Sequence, residues 1–325
     1  MFILKTNVIS LVVLWLCMAA LSLAVGAVSV PLEDVVLTII SGNPKYDFVI
    51  MEYRMPRLII ASLVGCALAL SGTLVQAVVR NPLASPDIFG VTAGAGLAVV
   101  CLLAFYDQSP HYWIPLAALM GGFSAAIVLL LIIRRIGFQP SRVALVGLAL
   151  SAVCGSGIDY LLSTRPEEIS GAMLWLTGSI WGRSWNHLSL ILPWLVILVP
   201  IAIWLSYRLD LLSLGEEVAT SLGEKVNRTQ VSSMIVAVAL ASASVSVCGA
   251  ITFVGLVAPH LARLLVGGRH FPVIFVAMLL GALLVVTADI VARTLAPPLE
   301  FPAGILVAMI GAPYFILLLN RYKSW

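Results

Sequence analysis

The amino-acid sequence predicts an all-α membrane protein with about ten transmembrane helices, and its composition and length support this prediction. Apolar residues make up 61% of the 325 residues, charged residues make up 10%, and the mean hydropathy is +1.10. Soluble domains typically contain about 25% charged and about 45–50% apolar residues. A helix of about 20 residues with its connection takes about 30 residues, so the chain accommodates roughly ten spans. This composition excludes a soluble enzyme and an intrinsically disordered chain.

Ten apolar stretches follow one another along the chain, and each is predicted to form one helix. They lie approximately at 8–28, 57–79, 90–106, 113–133, 143–163, 187–207, 230–249, 251–268, 272–294 and 303–320. A single segment with a break near Gly249 is the alternative to the seventh and eighth stretches. The apolar segment 169–182 is too short to span a membrane, and it predicts a re-entrant or interfacial helix held by Trp175 and Trp181.

The distribution of Lys and Arg predicts that both termini lie in the cytoplasm. With the N-terminus inside, twelve of the 18 Lys and Arg residues fall on the inner side and six on the outer side, in agreement with the positive-inside rule. The outer six are Lys45, Arg54, Arg57, Arg165, Arg183 and Arg293. These outer cations run against the bias, so their presence requires an explanation.

Small residues within the predicted spans indicate close helix packing. They include Gly65 in the second stretch and Gly121 in the fourth. Gly90 and Gly94 form a G-x-x-x-G pair, which allows helix backbones to approach closely in lipid. We therefore expect a compact bundle.

Several kinds of chemistry are missing from the sequence. It contains no G-x-x-x-x-G-K-[ST] loop, so the chain is not expected to hydrolyse nucleotides. The five cysteines are scattered through apolar stretches and the four histidines are isolated, so neither a disulfide framework nor a metal site is predicted. An intramembrane enzyme would need a nucleophile beside a base, and no such grouping stands out. The net charge of +3 does not suggest nucleic-acid binding.

Charged residues are almost absent from the predicted spans. A stand-alone secondary transporter is expected to hold its coupling ion at carboxylates or histidines near mid-bilayer. Here the candidates are Asp159 and Asp289, both placed near outer helix ends. Asp289 precedes Arg293 by four residues, which is the spacing of an ion pair along a helix. The sequence therefore gives little support to ion-coupled transport.

The connection 208–229 is the longest one on the predicted cytoplasmic side. Its apolar pattern is interrupted by Gly215 and Gly223, which predicts two short helices with a sharp turn. The apolar residues are Leu211, Leu212, Leu214, Val218 and Leu222. Docking onto a cytoplasmic partner explains this amphipathic pattern, and a helix on the membrane surface is the alternative.

Two arginines lie at predicted outer helix ends. Arg54 occurs in EYRMPRL and Arg293 in ADIVART. A guanidinium is suited to bidentate capture of a carboxylate on an approaching partner. Interfacial anchoring is the alternative that these residues leave open.

Seven specific motifs occur in order along the chain. They are YRMPRL (53–58), RNPLASPDIFGV (80–91), WLTGSIWG (175–182), LGEEVATSLG (214–223), FVGLVAPHLAR (253–263), ADIVAR (288–293) and IGAPYFILLL (310–319). Together they resemble the FecCD-type permease family of iron-siderophore and vitamin B12 ABC importers, over essentially the whole chain, 1–325, as one transmembrane domain. The resemblance implies a type II ABC importer permease with ten helices per subunit. Two permease subunits would surround one translocation path, with two ATPase subunits below.

The resemblance also implies roles for individual residues. Arg54 and Arg293 match arginines that dock glutamates on the two lobes of a periplasmic binding protein. Within 208–229, the positions matching the helices that couple to the ATPase are Leu214, Gly215, Glu217, Ala219, Leu222 and Gly223, with Gly223 at the turn. The positions matching the cytoplasmic gate are Asn81, Leu83 and Ser141, but Pro140 stands where the vitamin B12 permease has a hydroxyl residue.

The same resemblance predicts the cargo and the partners. The runs RNPLASPDIFGV and APPLEFPAG are most similar to ferric-citrate-type permeases, so a ferric siderophore, or ferric citrate, is the expected cargo. Cobalamin or haem import is the alternative. No cofactor is expected in this chain, because ATP and Mg²⁺ would bind the ATPase subunits. The expected partners at the inner membrane are a second permease subunit, homologous or identical, two ATPase subunits and the periplasmic binding protein.

Overall fold

The computed structural model describes residues 2–26, 28–42, 44–106, 112–137, 139–165, 170–297 and 299–321. Within these ranges the chain is helical, and the one β-type contact is an isolated bridge between Ala296 and Leu299. The α-helices are α1 (Phe2–Ala24), α2 (Leu32–Ser41), α3 (Met55–Val79), α4 (Val91–Phe105), α5 (Trp113–Ile136), α6 (Pro140–Thr164), α7 (Ser170–Leu176), α8 (Trp185–Leu212), α9 (Glu216–Ser221), α10 (Val226–Cys248), α11 (Val254–Val266), α12 (His270–Thr294) and α13 (Ala303–Arg321).

Ten of these helices coincide with the ten apolar stretches of the sequence. Six are long and apolar enough to cross a membrane, namely α5, α6, α8, α10, α12 and α3 with the segment that precedes it. The other four, α1, α4, α11 and α13, contribute apolar helices of 10–17 residues. The predicted class, an all-α polytopic membrane protein, is therefore confirmed.

The seventh and eighth stretches are separate helices, as predicted. Between α10 and α11 the backbone of Gly249 and Phe253 adopts positive φ angles of 71° and 66°. The carbonyl oxygen of Cys248 accepts a hydrogen bond from the Ser179 amide at 2.8 Å. Irregular backbone within a membrane protein needs such a partner from the protein itself, because lipid offers none.

The segment before α8 differs in part from the prediction. It contains α7, which is too short to cross a membrane. Trp181 is exposed, whereas Trp175 is buried in an apolar cluster with Val99 of α4 and Val245 of α10. The prediction that Trp175 anchors this segment at the membrane interface is wrong, because α7 packs inward and buries the ring.

Helix α3 lies at the centre of the bundle, where it packs against α8, α10, α11 and α12. A Cβ atom at Gly65 of α3 would collide with the backbone of Gly281 in α12, and Gly94 and Gly121 bring α4 and α5 together in the same way. The predicted close packing is confirmed, since only small residues allow backbones this near. Gly90 acts differently from its predicted role, because it adopts a φ of 72° where the chain turns into α4.

The helices carry two groups of polar residues to opposite ends of the bundle. α3 has Arg57 in its first turn and ends at a turn at Arg80, and α12 runs in the opposite direction with Arg293 in its last turn. We call the end that contains Arg54, Arg57 and Arg293 the arginine end. The opposite end, which contains Arg80 and the connection 208–229, is called the loop end.

Candidate functional site

Arg54 lies in a π-helical segment, Phe48–Arg54, that leads directly into α3. Pro56 occupies the first turn of α3 and has no amide hydrogen, so the regular hydrogen bond to the preceding turn cannot form there. The wider π-helical turns of Phe48–Arg54 are consistent with this missing hydrogen bond. Such turns occur frequently at functional sites.

Arg54 and Arg293 both direct their guanidinium groups toward the end of α1. Arg54 donates to the carbonyl oxygen of Leu23 at 2.6 Å and to that of Val28. Arg293 donates through Nη2 to the carbonyl and hydroxyl oxygens of Ser22, each at 2.7 Å. The last carbonyls of a helix have no partner within the helix and carry a partial negative charge. The two arginines therefore cap α1.

Arg54 and Arg293, the two predicted docking residues, are buried against the end of α1. The exposed fraction is 3% for Arg54 and 4% for Arg293. In this conformation neither guanidinium is presented to a partner. Docking by these residues stays a prediction, and it requires them to leave the end of α1.

Arg57 is the centre of a buried ion cluster that the sequence pattern does not predict. Its Nη2 and Nε donate to Asp289 Oδ1 at 2.8 and 3.0 Å, and its Nη1 donates to Glu300 Oε2 at 2.7 Å. Charged pairs with this forked geometry are among the strong hydrogen bonds of proteins. The predicted helical pair also forms, but Arg293 Nε lies 3.7 Å from Asp289 Oδ2 and is the weaker contact. Arg57 and Asp289 are 232 residues apart, so no local spacing reveals their pairing.

At the loop end, the connection 208–229 contains one short helix instead of the two that were predicted. α8 continues to Leu212, α10 begins at Val226, and α9 lies between them. Gly215 and Gly223 flank α9 with φ angles of 108° and 86°, which glycine adopts without strain. The glycines therefore end helices as predicted, whereas the second predicted helix is the first turn of α10.

Three apolar side chains of this connection face away from the bundle. Leu214, Val218 and Leu222 are 58%, 46% and 60% exposed. Their spacing of four residues places them along one side of α9 and its flanks. Glu217 is also exposed, whereas Ala219 is fully buried and packs toward the bundle. Of the predicted coupling residues, Leu214 and Leu222 therefore lie on an exposed apolar edge with Val218, and Ala219 faces the bundle.

Polar contacts join α9 to the end of α3. Glu216 lies 3.4 Å from Arg80 and accepts a hydrogen bond from Gln230 at 3.3 Å. Arg80 also donates to the carbonyl oxygen of Leu212 at 3.3 Å. Its backbone adopts a φ of 53° where α3 ends and the predicted gate segment begins. Arg80 therefore connects the loop around α9 to that segment.

The predicted gate residues lie near the same end. Asn81 Oδ1 accepts a hydrogen bond from the Leu83 amide at 2.9 Å, which closes a local turn. Ser141 is exposed in the first turn of α6, a helix that begins at Pro140. Among the hydrogen bonds of the described residues, none joins Ser141 to Asn81 or Leu83. The gate assignment stays a prediction.

His270 joins two helices, and the His and Cys side chains of the described residues form no candidate metal site or disulfide. His270 Nδ1 lies 2.7 Å from Asp210 Oδ1, which links the start of α12 to α8. In the part of the chain that the structure describes, no group of three or more His, Cys, Asp or Glu side chains is placed to hold a metal ion. The five cysteines are unpaired.

Known proteins with similar sequences are transport permeases. Residues 12–321 match the FecCD transport family. The Fe(3+)-citrate import system permease protein YfmE of Bacillus subtilis (strain 168) is 43% identical over 96% of this chain and 94% of its own length. The Fe(3+) dicitrate transport system permease protein FecD of Escherichia coli (strain K12) is 45% identical over 94% of this chain and 95% of its own.

The fold is also found in a solved structure of a metal-chelate type ABC transporter in an inward-facing conformation. The TM-score is 0.88 with 31% identity, over 98% of this chain and 99% of that chain. On this family match and these near full-length similarities, the chain belongs to the FecCD transport family.

Proposed function

We propose that the chain is the transmembrane permease subunit of a binding-protein-dependent ABC importer that moves a ferric chelate inward, with ferric citrate as the first candidate. The family match over residues 12–321 carries this proposal. Two relatives with 43% and 45% identity have ferric citrate in their names, which favours citrate over other chelators. ATP and Mg²⁺ bind the partner ATPase subunits, and this chain supplies the path and the docking surfaces.

In this proposal the loop end lies in the cytoplasm and the arginine end outside the inner membrane. The inner excess of Lys and Arg, twelve against six, supports this orientation. Ten spans place both termini on the same side of the membrane. Both termini are therefore cytoplasmic.

The exposed edge of Leu214, Val218 and Leu222 docks onto the ATPase subunit. Exposed apolar side chains grouped on a polar loop are typical of protein-protein contact sites. When the ATPase subunits close, α9 moves with them. The contact between Glu216 and Arg80 passes this movement to Asn81 and the gate segment.

At the outer side, Arg54 and Arg293 bind carboxylates of glutamates on the two lobes of the binding protein. Their present acceptors are mainly neutral carbonyl oxygens of the end of α1. A carboxylate is a stronger acceptor for a guanidinium than a neutral carbonyl. A glutamate that approaches from outside therefore competes for these arginines, and their movement loosens α1 from α3 and α12.

A second permease subunit, homologous or identical, covers the open face of α6. Only 17% of the most apolar stretch of α6 is buried within this chain. Leu148, Val153 and Tyr160 of this helix are exposed. Asp159 is exposed on the same helix. A carboxylate in contact with lipid is unfavourable, so this face is assigned to the partner subunit and the translocation path.

The experiment that tests the proposed function is uptake of radioactive ferric citrate into proteoliposomes. These would contain the complete importer with binding protein outside and ATP inside. We expect uptake with the intact ATPase and none with an ATPase variant unable to hydrolyse ATP. Uptake that persists without an ATPase partner would overturn the importer proposal. Transport of cobalamin or haem in place of ferric citrate would overturn the cargo.

The docking proposal is tested by charge reversal. Arg54→Glu and Arg293→Glu are expected to abolish binding-protein-dependent uptake, with Arg165→Glu as the control on the same side. Because the two arginines are buried, the thermal midpoint of each variant is measured first. Recovery of uptake by a matching Glu→Arg change on the binding protein separates lost docking from misfolding. Full uptake by both single variants would refute the docking role.

A further inference from the structure

Unlike Arg54, Arg57 and Arg293, Arg183 between α7 and α8 donates to no oxygen acceptor in the hydrogen bonds of the described residues. Its Nη1 lies 3.2 Å from His187 Nε2, and its Nε is buried without a hydrogen-bond partner. Arg57 has two carboxylate partners, and Arg293, whose Nε also lacks a hydrogen-bond partner, lies 3.7 Å from a carboxylate oxygen. Arg54 has no carboxylate partner either, but it donates to two carbonyl oxygens. Among the described residues Arg183 has no carboxylate partner. Whichever tautomer His187 adopts, its ring supplies no negative charge.

Hydrogen bonds of neighbouring residues hold the loop that contains Arg183 at the arginine end. Trp185 Nε1 donates to the carbonyl oxygen of Met51 at 3.0 Å, which attaches the start of α8 to the segment that carries Arg54. On the other side of this loop, the Ser179 amide donates a hydrogen bond to the carbonyl oxygen of Cys248, at the break between α10 and α11. The loop of Arg183 is therefore held between the predicted docking segment and the centre of the bundle.

Both carboxylates that contact the arginines of this end belong to the Arg57 cluster. Among the described residues, Asp289 and Glu300 pair with Arg57, and Asp289 also lies 3.7 Å from Arg293, so neither contacts Arg183. Burial lowers the pKa of Arg183, yet an arginine remains protonated at neutral pH. A partly buried cation without a counter-charge is unfavourable unless an anion completes the site.

We infer that Arg183 binds a carboxylate group of an anionic ferric chelate as the chelate enters from the binding protein. This inference rests on the proposed function, and it assigns the cargo to carboxylate chelates such as ferric citrate. His187 occupies Nη1, which leaves Nε and Nη2, the edge that pairs side-on with a carboxylate. Nε is covered in this conformation, so the carboxylate reaches that edge when the arginine end opens.

The test uses the complete importer in proteoliposomes with ferric citrate as the probe. Arg183→Lys, Arg183→Gln and Arg183→Glu are compared for ferric citrate uptake and for binding-protein-stimulated ATP hydrolysis. Uptake is expected to fall in that order, with a loss of about tenfold or more for Gln, as for one charged hydrogen bond. Stimulated hydrolysis stays close to wild type, because docking is unchanged.

Arg165→Gln is the matched control, because Arg165 is an outer arginine whose Nη1 donates to the Ala104 carbonyl oxygen. Wild-type uptake by Arg183→Gln, or an equal loss in all three variants with lowered thermal midpoints, overturns the inference. Loss of stimulated hydrolysis in parallel with uptake also overturns it, since Arg183 would then contact the binding protein. A wild-type importer that takes up no ferric citrate shows instead that the proposed function has failed, and the inference fails with it.

Discussion

At the arginine end, the side chain of Arg57 is 3% exposed and lies 2.8 Å from Asp289. At the loop end, the side chain of Arg80 is 41% exposed and lies 3.4 Å from Glu216. Removing one partner of a buried ion pair destabilises a protein by about 3–5 kcal/mol. Exposed pairs contribute about 0–1 kcal/mol. Ion pairs at the arginine end therefore hold helices in place, whereas those at the loop end can rearrange at little cost.

This difference matches what the two ends are proposed to do. Movement of the loop around α9 in each transport cycle requires contacts that break easily. In the proposed mechanism, the arginine end keeps α1, α3 and α12 together until a carboxylate of the binding protein competes for the arginines. Four changes, from the largest expected effect to the smallest, test this comparison.

Asp289→Asn should have the largest effect. It leaves Arg57 buried with Glu300 as its remaining carboxylate, and we expect a loss of about 3 kcal/mol in the free energy of unfolding. Unfolding by denaturant in detergent micelles measures this loss. Asp159→Asn is the control, because Asp159 is exposed and the same change there should stay within about 0.5 kcal/mol. Equal losses in the two variants would contradict the comparison.

Glu300→Gln should have an intermediate effect. The Glu300 side chain is 20% exposed and accepts one hydrogen bond from Arg57 at 2.7 Å. Replacing a charged acceptor with a neutral one should lower the free energy of unfolding by about 1–2 kcal/mol, less than Asp289→Asn. The same denaturation measurement applies, and a loss larger than that of Asp289→Asn would make Glu300 the main partner.

Gly223→Ala should cause about 1 kcal/mol of local strain at the loop end, because a Cβ disfavours a φ of 86°. No neighbouring atom lies within 4 Å of the added Cβ, so the strain is conformational and not steric. We expect weaker coupling of ATP hydrolysis to uptake with little change in the thermal midpoint. Gly268→Ala is the control, since that glycine also has open space and lacks a positive φ. Unchanged coupling in Gly223→Ala would remove the turn from the mechanism.

Glu216→Gln should have the smallest effect on stability. Its ion pair with Arg80 is exposed, so the free energy of unfolding should change by less than about 1 kcal/mol, and less still at high salt. Glu217→Gln, one residue further on and also exposed, is the matched control. A loss as large as that of Asp289→Asn would show that the loop end is held as firmly as the arginine end.

Much of the fold could be predicted because a membrane span is marked locally. The ten apolar stretches became helices, and the break at Gly249 lies where the sequence suggested it. The prediction was wrong where neighbours decided the outcome. Trp175 is buried by α4 and α10, and the second short helix of 208–229 is the start of α10.

The candidate site could be predicted only in part. Arg54 and Arg293 were recognised as unusual because outer arginines oppose the positive-inside bias. Their burial against the end of α1 could not be foreseen, since it depends on how α1 packs against α3 and α12. Arg183 shares the same local signal, but the absence of a carboxylate partner among the described residues becomes visible only in the tertiary structure.

The sequence by itself determined that this protein crosses the membrane many times and keeps its charges at the helix ends. Both follow from the energy of placing each segment in lipid, which depends on local composition. Tertiary structure alone decided that Arg57 and Asp289 pair across 232 residues and that Arg54 and Arg293 cap α1. Partner choice among charges depends on distance and burial after the helices have packed, and neither is encoded in local spacing.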